Sequence, residues 1–77
     1  MKKFELTENY KMYFGRKLFQ IRALVSIEDV VEAGEIGGYI EKEENLSQFG
    51  NSWVSGNACV YGNEYVHDDV LLGDASL

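Results

Sequence analysis

The 77-residue chain has very few of the side chains that usually crosslink a small domain or bind a metal. It contains one cysteine, Cys59, and one histidine, His67. One cysteine cannot form an internal disulfide, and one cysteine with one histidine cannot complete a closed zinc site. No lysine, arginine or histidine adjoins Cys59 to activate its thiol. The sequence therefore predicts no disulfide, no metal site, no cofactor and no cysteine nucleophile.

Long apolar runs are also absent. No segment approaches the ~18 apolar residues of a membrane span, and no apolar stretch follows the basic residues at the start as in a signal peptide. An unpaired thiol fits a reducing compartment. We therefore expect no membrane partner and a cytoplasmic location. A chain of this length forms one domain with a modest core, stabilised by local packing or by association with other chains.

Basic residues are scarce after position 22. The chain has a net charge of −6, yet residues 1–22 carry six basic and two acidic residues, and residues 23–77 carry only Lys42 against eleven acidic residues. Direct binding to nucleic acid is disfavoured, because phosphate contacts need clustered cations. An acidic surface suits a basic protein partner instead. The alternative is that the charge serves solubility alone.

A six-residue repeat is the strongest pattern in the chain. Gly-Asn occurs at positions 50, 56 and 62, and valine occurs at positions 54, 60 and 66. This period fits neither an amphipathic helix nor a simple hairpin. Glycine and asparagine tolerate positive φ, so each Gly-Asn pair predicts a corner between two short strands, with the valine pointing inward.

Three such six-residue sides make one coil, and successive coils would stack as parallel β-structure. An exact period of three sides makes Gly38 equivalent to Gly56. It also predicts two inward stacks, Ile36/Val54/Leu72 and Ile40/Ala58/Ser76. The alternative is a β-sandwich with coincidental turns.

The N-terminal third has the alternation typical of strands. Residues 2–7 or 10–13 are expected to pair with residues 17–25 across a turn at Phe14-Gly15-Arg16. Such a hairpin would cover the open end of the stacked coils. We therefore expect a single domain, 1–77, in which residues 1–30 form a hairpin cap and residues 31–77 form the coils.

The segment from Val31 through the motif Asn45-Leu46-Ser47-Gln48 into the Gly-Asn repeats resembles phage and prophage proteins of the hexapeptide-like β-helix family. That family is related in fold to the hexapeptide transferases of bacteria. The resemblance implies an all-β fold: a short left-handed parallel β-helix of about two coils with an N-terminal β-hairpin cap. It implies little about activity.

The repeats also place aromatic and acidic side chains on the outside of the predicted coils. Exposed tyrosine and tryptophan are common interface anchors. The candidate partner-binding residues are Trp53, Tyr61, Glu64, Tyr65, Asp68, Asp69 and Asp74. Trp53 has an alternative place beneath the hairpin or the 41–49 segment, and the four acids are alternatively a solvated face.

These features predict a non-catalytic module that binds a basic host protein, in its sharpest form an inhibitor of a host defence complex, as small acidic anti-CRISPR proteins are. One alternative is a structural or assembly protein of a phage particle or scaffold, because an uncovered coil end at Leu77 favours a homodimer. The other alternative is the remnant of a β-helix acyltransferase that depends on His67 as a general base.

Overall fold

The computed structural model describes residues 2–73, which form an all-β domain. Its elements are β1 (Phe4–Tyr13), β2 (Arg16–Ala23), β3 (Ile36–Ile40), a 3-10 turn (Glu43–Asn45), β4 (Trp53–Val54), β5 (Cys59–Val60) and β6 (Leu71–Leu72). No helix among these residues has the length and apolar character needed to cross a membrane. Ser76 and Asp74, which belong to the predicted inward stack and the predicted binding surface, lie outside the described residues.

The predicted hairpin is confirmed. β1 and β2 are antiparallel, with Phe4 opposite Ala23, Tyr13 opposite Arg16, and a register shift between Leu6 and Tyr10. The two-residue turn has φ of 52° at Phe14 and 80° at Gly15. Positive φ at both turn residues is typical of the type I′ turns that match the twist of a hairpin.

The hairpin joins the rest of the chain through β3. The four-stranded sheet has the order β1-β2-β3-β5, in which β3 is antiparallel to β2 and parallel to β5. β2 therefore satisfies one edge of β3, and the parallel pairing satisfies the other. Parallel pairing recurs twice more, between Leu46 and Val66 and between β4 and β6.

The inward register differs from the one predicted from an exact period of three six-residue sides. Ile40 pairs with Val60 and not with Ala58, so the observed partner lies two positions later than expected. Only β4 and β6 keep the predicted offset, which pairs Val54 with Leu72. Ile36 is 46% exposed, so it does not stack inward above Val54.

The change of register has a simple origin in spacing. The buried positions Ile40 and Leu46 are six residues apart, and Val54, Val60 and Val66 continue at intervals of six. The interval from Leu46 to Val54 is eight residues, so this stretch holds two more residues than the period requires. A constant period carried backward from Val54 therefore misplaces Leu46 and every residue before it.

The corners follow the predicted spacing. Gly50, Gly56, Gly62 and Asp68, each six residues after the last, all have positive φ. Asp68 occupies the conformation that glycine has at the other three corners. Gly38 is not a corner, because it lies in the middle of β3 without positive φ. A Cβ at Gly38 would lie 2.8 Å from the carbonyl oxygen of Ala58, so close approach of the backbone requires glycine there.

The core joins the hairpin to the repeats. Phe4 and Ile21 from the hairpin pack in one cluster with Ile40, Leu46 and the valines of the repeats. Trp53 belongs to this cluster and is only 2% exposed. The expectation that Trp53 faces a partner is therefore wrong, because its side chain belongs to the buried cluster that joins hairpin and repeats. This burial agrees with its alternative place, beneath the hairpin or the 41–49 segment.

The two extra residues lie in the segment that attaches the repeats to β1. The side-chain oxygen of Gln48 accepts hydrogen bonds from the backbone nitrogens of Lys3 at 2.6 Å and Phe4 at 3.3 Å. The buried Lys3 ammonium donates to the carbonyl oxygen of Ser52 at 2.7 Å and to its hydroxyl at 3.2 Å. Burial lowers the pKa of Lys3. The added length therefore lets residues 48–52 reach the N-terminal strand.

Candidate functional site

An open groove of about 310 Å³ has the side chains of Phe49 and Tyr65 in its lining. Phe49 is 83% exposed and Tyr65 is 55% exposed. The groove is lined by Glu43, Glu44, Leu46, Ser47, Gln48, Phe49 and Tyr65. We call this concavity, together with the neighbouring Glu64, His67, Asp68 and Asp69, the acidic-aromatic face.

The parallel pairing of Leu46 with Val66 forms the base of this face. Both side chains are buried, whereas the adjacent Tyr65 is exposed. The buried Asn45 amide nitrogen donates to the carbonyl oxygens of Glu64 at 2.9 Å and Gly62 at 3.3 Å. These bonds fix the backbone before Tyr65 against the 3-10 turn, so the groove is held by packed structure.

Aromatic stacking and a corner position His67. Its ring stacks on Tyr65, with centroids 4.9 Å apart and planes 19° from parallel. Its Nδ1 lies 3.1 Å from a carboxylate oxygen of Asp68. The stack extends the aromatic surface of Tyr65 toward the corner at Asp68.

Several carboxylates of the face have no positive partner. Glu43 is engaged, because one oxygen lies 3.3 Å from the Lys2 ammonium and the other accepts a bond from Gln48 at 3.0 Å. Glu44, Glu64 and Asp69 make no ion pair within residues 2–73. The sequence offset that relates Leu46 to its partner Val66 also relates Glu44 to Glu64. The face therefore concentrates uncompensated negative charge beside two exposed rings.

The structure divides the predicted partner-binding residues. Tyr65 and Asp68 are linked through His67, and Glu64 and Asp69 adjoin them in sequence and are exposed. Trp53 is in the core, and Tyr61 is half-buried at a different place, against the hairpin. Sequence reasoning missed Phe49 and Glu44. Phe49 stands directly before the corner at Gly50, as His67 stands directly before the corner at Asp68, and this shared place in the repeat was the signal available for it.

Tyr61 belongs to a clasp that holds the hairpin against a corner of the repeats. Its ring centroid lies 5.4 Å from that of Tyr13 and 5.2 Å from the Arg16 guanidinium. One oxygen of Glu41 accepts hydrogen bonds from the backbone nitrogen of Gly62 at 2.8 Å and from Arg16 at 3.0 Å. The bond from Gly62, assisted by Arg16, lowers the pKa of Glu41. Tyr61 therefore supports the fold at this clasp.

Replacing Glu41 with glutamine is expected to lower stability at neutral pH, with a smaller loss in acid. Because the pKa of Glu41 is lower in the folded chain, its stabilisation is complete above the ordinary carboxyl range and is lost as pH falls through the lowered value. Urea unfolding of both proteins at several pH values measures this. The gap between their midpoints should close in acid, whereas Glu44→Gln, which removes an unpaired carboxylate, should give no such convergence. A gap independent of pH would contradict the role of the clasp.

A second concavity, of about 460 Å³, lies in the loop before β3 and is lined by residues 26–32 and 35. It contains Glu28, Asp29, Glu32 and Glu35, all exposed. Within residues 2–73, no group of three or more histidine, cysteine or acidic side chains is arranged to hold a metal ion. The half-buried Cys59 thiol lies 3.4 Å from the carbonyl oxygen of Asn57. The acidic-aromatic face therefore remains the concavity with both exposed rings and unpaired charge.

No protein-family model matches the chain, and no curated protein is similar to it.

Proposed function

We propose that the described part of the predicted coil region, residues 31–73, winds as a short left-handed parallel β-helix of about two coils, capped by the N-terminal hairpin. Three parallel pairings support this winding, because each joins a residue to one about a full coil later in the chain. The corners at intervals of six support three sides per coil. The hand is taken from the resemblance to hexapeptide-like proteins.

We further propose that the protein is a non-catalytic module whose acidic-aromatic face docks onto a basic surface of another protein. The observation that carries this proposal is the placement of the unpaired carboxylates Glu44 and Glu64 beside the exposed rings of Phe49 and Tyr65. Carboxylates attract lysine and arginine over about a Debye length, and an aromatic ring binds the same cations through its face. Both features therefore select the same class of ligand.

The resemblance to phage proteins suggests in which cell, and against which kind of partner, this function would be carried out. A small acidic protein that covers the nucleic-acid-binding surface of a host defence complex would act in the cytoplasm of the bacterial host. The basic surface of such a complex matches the charge of the face. This version depends on the resemblance, whereas docking to a basic partner depends only on the face.

A structural or assembly role is the second candidate, and it is favoured by the apolar side chains near the last described strand. Val70, Leu71 and Leu72 are all exposed. Among the described residues β6 pairs with β4 alone, so its other edge offers backbone groups to a further strand.

A labelled nona-arginine peptide tests the proposed docking. We expect binding that weakens with salt, and we expect the double variant Glu44→Lys/Glu64→Lys to weaken it about tenfold, because two attractive charges become repulsive. The matched control is Glu28→Lys/Glu32→Lys, which changes the net charge equally at the other concavity. Fluorescence anisotropy gives the dissociation constants.

Two results would contradict docking at this face. One is equal weakening by both double variants, which would indicate attraction to net charge alone. The other is an unchanged affinity after Phe49→Ala/Tyr65→Ala, because loss of cation–π contact should weaken binding by roughly two- to fivefold.

A further inference from the structure

Phe14 occupies an unusual position at the tip of the hairpin. It is 87% exposed, and its φ is 52° at the first residue of the two-residue turn. Asparagine, aspartate or glycine usually stands there, because larger side chains are strained at positive φ. Exposure of an aromatic ring and backbone strain both oppose phenylalanine at this position. Residues with a strained backbone cluster at functional sites.

Aromatic contacts support the tip of the hairpin. The Phe14 ring packs edge-on against Tyr13, with centroids 4.6 Å apart, and Tyr13 in turn contacts Tyr61 in the clasp. Met12, next to the tip on β1, is also exposed. The aromatic ring is therefore presented by a supported turn, which lowers the entropy cost of docking it.

The charge around the tip is positive. Residues 10–22 contain four basic residues and no acidic residue. Arg16 pairs with Glu41 and Arg22 pairs with Glu5. Lys11 and Lys17 make no ion pair within residues 2–73, and their ammonium groups lie 4.3 Å from the ring centroids of Tyr39 and Tyr10. The tip thus combines an exposed ring with two uncompensated cations.

We propose that the hairpin tip of one copy of this chain inserts into the acidic-aromatic face of a second copy. Phe14 would enter the groove lined by Phe49 and Tyr65, and the lysines of the tip would face Glu44 and Glu64. This inference rests on the proposed function and names the partner of the same face. The charges and the apolar surfaces are complementary: the tip supplies a ring and cations, and the groove supplies rings and carboxylates.

The geometry makes this contact head-to-tail. Tip and groove are different surfaces of one chain, and the 87% exposure of Phe14 means that its own groove does not hold it. A contact between unlike surfaces leaves one tip and one groove free in each pair, so further copies add to the assembly.

Two variants test the tip and the groove of the proposed contact separately. Phe14→Asn removes the ring and places a favoured residue in the turn, so the melting temperature should stay unchanged or rise by up to roughly 4 °C. Glu44→Lys/Glu64→Lys reverses the charge of the groove and leaves the tip intact. Phe14→Tyr, which keeps an aromatic ring, is the conservative control and should assemble as the unaltered protein does.

Sedimentation velocity at low salt and high protein concentration tests the proposal. The unaltered protein should form assemblies that grow with concentration and dissociate with salt, and each variant alone should be a monomer. An equimolar mixture should form a heterodimer and nothing larger, since only one intact tip and one intact groove remain.

A monomeric unaltered protein, assembly by either variant alone, or a mixture that stays monomeric would overturn the proposal. If the arginine peptide still binds the face in that case, only self-docking fails. If neither the peptide nor a second copy binds, the proposed function fails as well.

Discussion

Replacing Gly38 with alanine is expected to destabilise the protein by about 3 kcal/mol, at the upper end of the usual cost of overpacking. A Cβ there would lie 2.8 Å from the carbonyl oxygen of Ala58 and 2.7 Å from a methyl group of Val54. The backbone of Gly38 does not have positive φ, so the whole cost is steric. Relief requires β3 to move away from the segment that leads into β5, and the core between them would open.

Thermal unfolding followed by circular dichroism measures this effect. In a domain of this length, losing about 3 kcal/mol of unfolding free energy lowers the melting temperature by roughly 12 °C or more. Gly62→Ala is the matched control: its φ is +65°, but the nearest atom to an added Cβ is 4.0 Å away. We expect Gly62→Ala to lower the free energy of unfolding by about 1 kcal/mol, from the strained backbone alone. Equal losses for the two variants would contradict close approach at β3.

The second large effect is expected at Lys3. Replacing it with methionine keeps an apolar side chain but leaves the buried carbonyl and hydroxyl oxygens of Ser52 without the donor that they have at 2.7 and 3.2 Å. Unsatisfied buried acceptors cost about 2 kcal/mol. The neighbouring Lys2→Met is the control, because the ion pair between Lys2 and Glu43 is exposed, and such pairs contribute less than ~1 kcal/mol.

The Lys3 effect also has a defined dependence on pH. Burial lowers the pKa of Lys3 in the folded chain, so between that value and the ordinary one the unfolded chain binds a proton that the folded chain does not. Stability from this group therefore rises with pH through that alkaline window. Urea unfolding at neutral and alkaline pH should show the difference between the unaltered protein and Lys3→Met widening. A narrowing difference would mean that the folded state favours the charged form.

Much of the architecture could be predicted from local patterns. The alternation within residues 17–25 and the turn at Phe14-Gly15-Arg16 predicted the hairpin, and the Gly-Asn spacing predicted the corners at positions 50, 56 and 62. These features depend on residues close together in sequence. The predicted inward register was wrong up to Leu46. That register depends on the number of residues between Leu46 and Val54, and the six-residue period does not reveal this number.

The site was predicted only in part, for a related reason. The outward direction of Tyr65 was predictable from alternation about Val66, and the adjoining acids were expected to be exposed because charged side chains are seldom buried. The same reasoning placed Trp53 outside, but Trp53 is buried in the core cluster that also contains Phe4 and Ile21 of the hairpin. Its position is therefore set by packing between segments far apart in the chain. Phe49 lies in the stretch with the extra residues, so the valine period does not give the direction of its side chain, and its place directly before the corner at Gly50 is the remaining signal.

The eight-residue interval between Leu46 and Val54 has one more consequence. This stretch carries Gln48 and Ser52, which accept hydrogen bonds from Lys3 and Phe4 at the start of the hairpin, so its length is matched to that contact. Phe49 is carried on the same stretch, whereas Tyr65 adjoins the pairing of Val66 with Leu46. The contact that attaches the hairpin therefore also sets where one wall of the recess lies.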